Sequence, residues 1–360
     1  MTLNTTPVQD GFLMPGEFEP HTRCWMMWPE RPDVWRNQAL PAQNAFVAVA
    51  EAIADFEPVT MVTVPSQADK ARQRLSARIE VVPMPYNDAW MRDIGPTFVL
   101  DRAGGLRGVN WAFNAWGGLY EDWAADEQVA AQVLQMTGAK QYRTDFIMEG
   151  GAIHVDGQGT ALVTAQCLLH PNRNPTLSQN EIEAGLKAYL NVTKVIWLPE
   201  GVYEDETDGH VDNLCCFVEP GVIALTWTDD VDDPQFAISQ MAYDGLTNTV
   251  DARGRALQIH KIHQPTPMYI TAEESAGIEV EAGSHPRPVG QRLAASYINY
   301  YVANGGVIMP FFDDPQDDIA KQTLQMLYPD RTIVGVAARE ILLGGGNIHC
   351  ITQQQPKASK

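Results

Sequence analysis

The chain reads as an α/β protein built from repeated strand–helix units, and three observations carry that reading. Short apolar runs alternate with segments of 3.6-residue apolar periodicity along the whole length. The 28 glycines and 24 prolines fall mostly at turns between those runs. No Ser/Gly/Pro-rich or charge-block linker interrupts the alternation. Residues 1–360 are therefore expected to form a single domain, with a short polar C-terminal tail from about residue 354.

In chain order, the apolar run Cys24–Trp28 predicts a first strand. Helix-like periodicity over Gln43–Phe56 leads to a strand at Val59–Val64, and the segment Gln67–Ala77 leads to Ile79–Met84. Thr97–Leu100 is a short strand closed by the turn Arg102-Ala103-Gly104-Gly105. A helix over Asp126–Thr137 follows, then the turn Asp156-Gly157-Gln158-Gly159 and the strand Ala161–Ala165. Ser178–Leu190 is helical and Val195–Leu198 extended. The run Leu214–Val218 meets Val222–Trp227 across Glu219-Pro220-Gly221, which reads as a hairpin. Helices over Ser239–Asp251 and Pro315–Tyr328 alternate with strands at Val307–Phe312 and Thr332–Val336. One internal echo stands out. Gly150-Gly151-Ala152-Ile153-His154 and Gly345-Gly346-Asn347-Ile348-His349 agree at four of five positions, which suggests equivalent turns in two copies of one module.

At 360 residues and 45% apolar content, the chain can bury a large core. Acidic residues outnumber Lys and Arg by 45 to 25, a formal charge of -20. Such a surface repels nucleic acid and anionic membranes and attracts small cations. The five cysteines form no C-x-x-C pair and no disulfide or zinc framework. The N-terminal stretch lacks the basic-then-apolar pattern of a leader, and no segment approaches about 18 uninterrupted apolar residues. The expected compartment is the cytoplasm. The sequence leaves the oligomeric state open, a homo-oligomer included.

Four polar motifs carry the chemistry. Asn87-Asp88-Ala89-Trp90-Met91-Arg92-Asp93-Ile94-Gly95-Pro96-Thr97 places two acids, an arginine and a tryptophan at a strand exit. An aspartate there can also be a simple turn residue. Met148-Glu149-Gly150-Gly151 sets a carboxylate against glycines that let backbone approach a ligand, although alone it reads as a surface turn. In Glu206-Thr207-Asp208-Gly209-His210-Val211-Asp212-Asn213, His210 and Asp212 are two apart, so an extended strand would present both to one side. A metal pair competes with that reading and ranks last, because no second His/Cys cluster has ligand spacing. Cys350 follows Gly344-Gly345-Gly346-Asn347-Ile348-His349, and the glycines leave its sulfur reachable, whereas a lone cysteine is usually a small buried hydrophobe. A thiol nucleophile, an imidazole and several carboxylates suit chemistry on a guanidinium. His154, His170 and His349 are assigned to structure.

Together these four motifs resemble the agmatine deiminases, a branch of the bacterial peptidyl-arginine deiminase family in the guanidino-group-modifying superfamily. The resemblance runs from Trp25 and Trp28 to Gln353. It implies a pentein fold, five αβ modules arranged as a propeller around a substrate channel. It implies Cys350 as nucleophile, His210 as general acid and base, and Asp93 and Asp212 as the guanidinium grip, with Glu149 holding His210. Trp90 and Glu206 would contact the aminobutyl end, with Gly345 and Gly346 also lining the substrate site. The implied reaction converts agmatine and water to N-carbamoylputrescine and ammonia through an amidino-cysteine intermediate, within putrescine biosynthesis, without metal or organic cofactor. Arginine or peptidyl-arginine is the rival substrate. An acid and an aromatic face favour an ammonium-ended molecule over one ending in a carboxylate.

Overall fold

The computed structural model describes residues 1–280 and 282–358. Among them, five sheets repeat one plan. An antiparallel hairpin leads through a helix to a third strand, which lies parallel to the second. Parallel neighbours need a long crossover, and here a helix supplies each one. The strands Thr97–Leu100 and Leu106–Ala112, the helix Val129–Met136 and the strand Lys140–Ile147 form one copy. His154–Val155, Thr160–Thr164, Gln179–Leu190 and Lys194–Leu198 form the next. Cys215–Glu219, Val222–Trp227, Pro234–Thr247 and Gln258–His263 follow. A fourth uses Tyr301–Ala303, Gly306–Phe311, Gln316–Leu327 and Thr332–Ala337. The fifth is shared between the chain ends. Thr352–Pro356 pairs antiparallel with His21–Met27, which continues through Leu40–Ala54 to the parallel strand Val59–Thr63. This is the five-module pentein arrangement.

Strands Val59–Thr63 and Thr160–Thr164 are buried at every position, which is why they read as continuous apolar runs. The three predicted turns each close a hairpin. No helix among the described residues is long and apolar enough to cross a membrane.

Several boundaries differ from expectation for identifiable reasons. The helix expected at Ser239–Asp251 starts at Pro234, because Asp233 caps the Gln235 N–H and Pro234 occupies the first turn. The Asp126–Thr137 helix begins as a tighter turn over Asp126–Gln128. Lys140–Ile147 and Gln258–His263 escape a hydrophobicity reading, the latter as a polar edge strand.

The expected polar tail from about residue 354 is the clearest correction. Thr352–Pro356 is a buried strand, and Gln355 accepts a hydrogen bond at 3.1 Å from the Trp25 indole. Amides tolerate burial when paired. Truncation after Ile351 should therefore leave the fifth module without its hairpin partner and yield little soluble, folded protein. Truncation after Lys357 should shift the melting temperature very little. A soluble, cooperatively melting product of the first truncation would contradict this closure of the fold.

Candidate active site

In each module a turn precedes the first strand of the hairpin, and four of these turns carry the candidate residues. Asp93 lies in the short helix Met91–Ile94 before Thr97. Glu149 precedes the turn Gly150–Ala152. His210 starts the short helix Val211–Leu214, which contains Asp212. Cys350 lies two residues before Thr352. The expectation that His210 and Asp212 share one face of a strand is thus corrected. They meet the site from a helical turn, His210 toward Asp93 and Glu149, Asp212 toward Cys350.

All five groups are buried. His210 Nδ1 stands 3.9 Å from Asp93 Oδ1, and its Nε2 stands 3.7 Å from Glu149 Oε2. Cys350 Sγ lies 3.6 Å from Asp212 Oδ2 and 3.4 Å from Asn299 Oδ1. Gly151 shows why a glycine is needed at this centre. A Cβ there would approach His210 Nδ1 to 2.6 Å, Asp212 to 2.9 Å and Asp93 to 3.0 Å. At Gly346 a Cβ would lie 3.1 Å from Cys350 Sγ and would press on Trp90.

Each anion is held by identifiable partners. Asp93 accepts from the Gly151 N–H at 2.8 Å and from the Trp116 indole at 2.9 Å. Trp116 reaches it from a left-handed backbone, φ 52°, a conformation that costs a bulky residue on the order of 1–3 kcal/mol. Glu149 accepts from Arg173 Nε at 2.7 Å, and Arg173 continues to Asp208 at 2.7 Å and the Thr207 carbonyl at 2.9 Å. Asp212 Oδ2 is bonded to His349 Nδ1 at 2.8 Å. His349 Nε2 is 2.9 Å from Glu17, which also pairs with Arg92 at 3.1 Å. His349 was expected to be structural, but it is the only side chain that hydrogen-bonds the Asp212 carboxylate apart from the Cys350 thiol among the described residues. The internal echo has a physical meaning, since His154 also faces Glu17, at 3.6 Å. Asp212 Oδ1 is buried and, among the described residues, has no hydrogen-bond partner.

Burial opposes a charge on His210, but the Asp93 carboxylate, with Cys167 and Glu149, holds its pKa well above the ordinary imidazole value. Burial raises Asp93 as well, with the anions Asp212 and Glu149 adding to that and His210 opposing it. For Cys350, burial and then the charges of Asp212 and Asp93 push the thiol well up. In Glu149 and Asp212, Arg173 and His349 respectively outweigh burial and keep the carboxylates low.

At the outer end, Trp90 donates to Asp88 at 3.0 Å and packs on Trp35 with ring centres 5.1 Å apart. Trp90, Trp116, Leu119 and Tyr120 line the pocket with Glu206, Gly345, Gly346 and Cys350. Glu206, implied to meet the aminobutyl end, is already paired. Arg287 takes both of its oxygens and also donates to the Gly344 carbonyl at 2.7 Å. Sequence spacing gave no signal for Glu17, Arg173, Arg287 or Asn299, since each meets its partner across a large sequence separation. Spacing also hid two groups of donors whose ligand atoms lie within 4.8 Å of one another, Glu17/His154/His349 and Glu149/Cys167/His210.

A family model for the Porphyromonas-type peptidyl-arginine deiminases matches residues 13–356. The chain is 55% identical over 362 residues to a Pseudomonas aeruginosa protein named agmatine deiminase, covering 99% of this chain and 98% of that one. It is 54% identical over 361 residues to the Pseudomonas fluorescens agmatine deiminase, with 99% and 98% covered. A solved structure of the Enterococcus faecalis agmatine deiminase superposes with a TM-score of 0.97 at 47% identity, covering 99% of each chain. The chain belongs to the Porphyromonas-type peptidyl-arginine deiminase family. Within it, the chain groups with the agmatine deiminases.

The raised thiol has a direct consequence. A group whose pKa is raised stays protonated through neutrality, and its thiolate appears only at higher pH. Alkylation of Cys350 by iodoacetamide should thus be slow at pH 7 and still climbing above the ordinary thiol value of about 8.5. A plateau reached by pH 7, followed by peptide mapping, would contradict it.

Proposed function

We propose that this enzyme hydrolyses the guanidinium of agmatine to N-carbamoylputrescine and ammonia, through a covalent amidino-cysteine intermediate. One observation carries the proposal most. A buried thiol and a buried imidazole flank two carboxylates, and among the described residues one of their oxygens, Asp212 Oδ1, has no hydrogen-bond partner. A guanidinium offers the planar, charged fork of N–H donors that such a site requires.

In this reading Asp93 and Asp212 grip the guanidinium nitrogens and orient its plane over the sulfur. The arriving dication offsets the anions that, together with burial, hold Cys350 protonated, so the thiol gives its proton up to solvent water. The sulfur then bonds to the central carbon, giving a tetrahedral adduct. His210, whose Nε2 faces the Glu149 carboxylate at 3.7 Å, passes a proton to one nitrogen, the C–N bond breaks and ammonia leaves. The neutral imidazole next takes a proton from water as its oxygen bonds to the amidino carbon. Collapse expels the sulfur, which recovers its proton from the hydroxyl as the ureido carbonyl forms, and the product leaves.

The far end needs a revised argument. A carboxylate has about four acceptor sites, and Arg287 uses two, so Glu206 can still accept an ammonium. The pair is net neutral, however, so an α-carboxylate meets less repulsion here than a free Glu206 would impose. Agmatine remains the favoured substrate because both relatives of 54–55% identity bear that name, and the pocket wall of Trp90, Trp116 and Tyr120 suits an alkyl-ammonium chain. The five buried free cysteines fit a reducing cytoplasm, and the product suits polyamine synthesis toward putrescine.

Ammonia release measured side by side on agmatine, free arginine and a blocked peptidyl-arginine tests the assignment. Agmatine should lead arginine by about 10²-fold or more in kcat/KM. Arginine or the peptide as the best substrate would sink the reading. Cys350→Ser should retain under a few per cent of turnover, and EDTA should leave the wild type unchanged. Reversible inactivation by EDTA with recovery on zinc would instead favour a metal at the Glu149/Cys167/His210 group.

Glu206→Gln should raise KM for agmatine about tenfold or more while harming arginine less. Arg287 loses its counter-ion in that variant, so thermal melts must accompany the kinetics. Unchanged agmatine kinetics in a folded Glu206→Gln protein would remove Glu206 from the substrate site.

A further inference from the structure

Four of the five module-entry turns supply Asp93, Glu149, His210 with Asp212, and Cys350. The fourth copy, entering at Tyr301, has its own such turn, Tyr297-Ile298-Asn299-Tyr300. No sequence motif marked it. Asn299 is fully buried there, and every polar atom of its side chain faces the site.

The geometry fixes which end of the amide meets the sulfur. Asn299 Oδ1 accepts from the His349 N–H at 3.0 Å and the Cys350 N–H at 3.4 Å, while its Nδ2 donates toward the Asp212 carbonyl at 3.4 Å. Two backbone donors on one oxygen leave that oxygen, and not the NH₂, facing Cys350 Sγ at 3.4 Å. The turn itself is braced. Ser296 Oγ donates to the Asn213 carbonyl at 2.7 Å and accepts from the Ile298 N–H at 3.0 Å.

We infer that Asn299 is a positioning residue for the nucleophile, clamping the Cys350 turn to the Asp212 turn and holding the sulfur in line with the guanidinium site. The groups facing the sulfur are the carboxylates of Asp212 and Asp93; His349 precedes it in the chain, and Arg92 donates its backbone N–H to the Cys350 carbonyl at 3.0 Å. Among the described residues, Asn299 adds the neutral side-chain acceptor at the sulfur. It touches neither the far end of the pocket nor Glu206. The inference rests on the deiminase reading for its kinetic arm only, because the reactivity of the thiol is measured without substrate.

The test compares Asn299→Ala and the near-isosteric Asn299→Asp with wild type in three measurements. These are agmatine kinetics, the pH dependence of Cys350 alkylation by iodoacetamide, and thermal unfolding. Both variants should lose about 10²-fold or more in kcat, with KM altered much less, since the substrate grip remains. Asn299→Asp should move the midpoint of alkylation upward by about one pH unit or more, because a carboxylate then abuts the sulfur. Asn299→Asp should melt below wild type, because its second oxygen faces the Asp212 carbonyl with no hydrogen to donate, but it should stay folded at the assay temperature, so that lost kcat with a moved alkylation profile separates positioning from folding. Near wild-type kcat with an unmoved alkylation profile overturns the inference, as does lost activity explained by a lowered melting temperature with the profile unmoved. If wild type ignores agmatine, the functional reading fails while the alkylation arm still decides the role of Asn299.

Discussion

The bond from His349 to Asp212 is the interaction on which the site depends. A buried carboxylate without compensation costs several kcal/mol and would take up a proton instead. Here the relay Arg92–Glu17–His349 supplies positive charge to one oxygen of Asp212 and leaves the other bare. The carboxylate is thereby kept ionised and kept unsatisfied together. Arg173 does the same for Glu149, whose second oxygen faces His210. Both carboxylates thus stay ionised while one oxygen of each remains outside any local hydrogen bond among the described residues.

The fold makes this concentration of charge feasible. Each module contributes one entry turn, so residues far apart in sequence arrive from different walls around one point. A single loop could not carry three carboxylates, an imidazole and a thiol at these separations without the groups pairing with one another. The fifth module closes only when Thr352–Pro356 docks beside His21–Met27. Cys350, two residues before that strand, is therefore fixed by the same docking, and Arg92 helps seat it by donating its backbone N–H to the Cys350 carbonyl at 3.0 Å.

The legibility of the sequence was uneven, for physical reasons. Strands buried on both faces, such as Val59–Thr63, announce themselves as apolar runs, and Gly-bearing turns announce hairpins. Lys140–Ile147 and Thr352–Pro356 do not, because a strand at or near a sheet edge can carry polar side chains. Asp93, Glu149, His210, Asp212 and Cys350 were visible because each sits in a dense local motif. Arg173, Arg287, Glu17 and Asn299 were not. Each acts through one side chain on a distant turn, and nothing in its own neighbourhood distinguishes it. Arg287 altered the argument most, because it turned an apparently free Glu206 into half of an ion pair.

The central claim is that Cys350, and no other cysteine, receives the substrate carbon. Intact-mass and peptide analysis of wild-type enzyme acid-quenched during turnover of agmatine tests it most directly. The account predicts an amidino adduct confined to the peptide bearing Cys350, absent in Cys350→Ser and lost when turnover is allowed to finish. Full turnover with no adduct, in an enzyme whose Cys350→Ser variant remains active, or an adduct on Cys167 or Cys216, would contradict it.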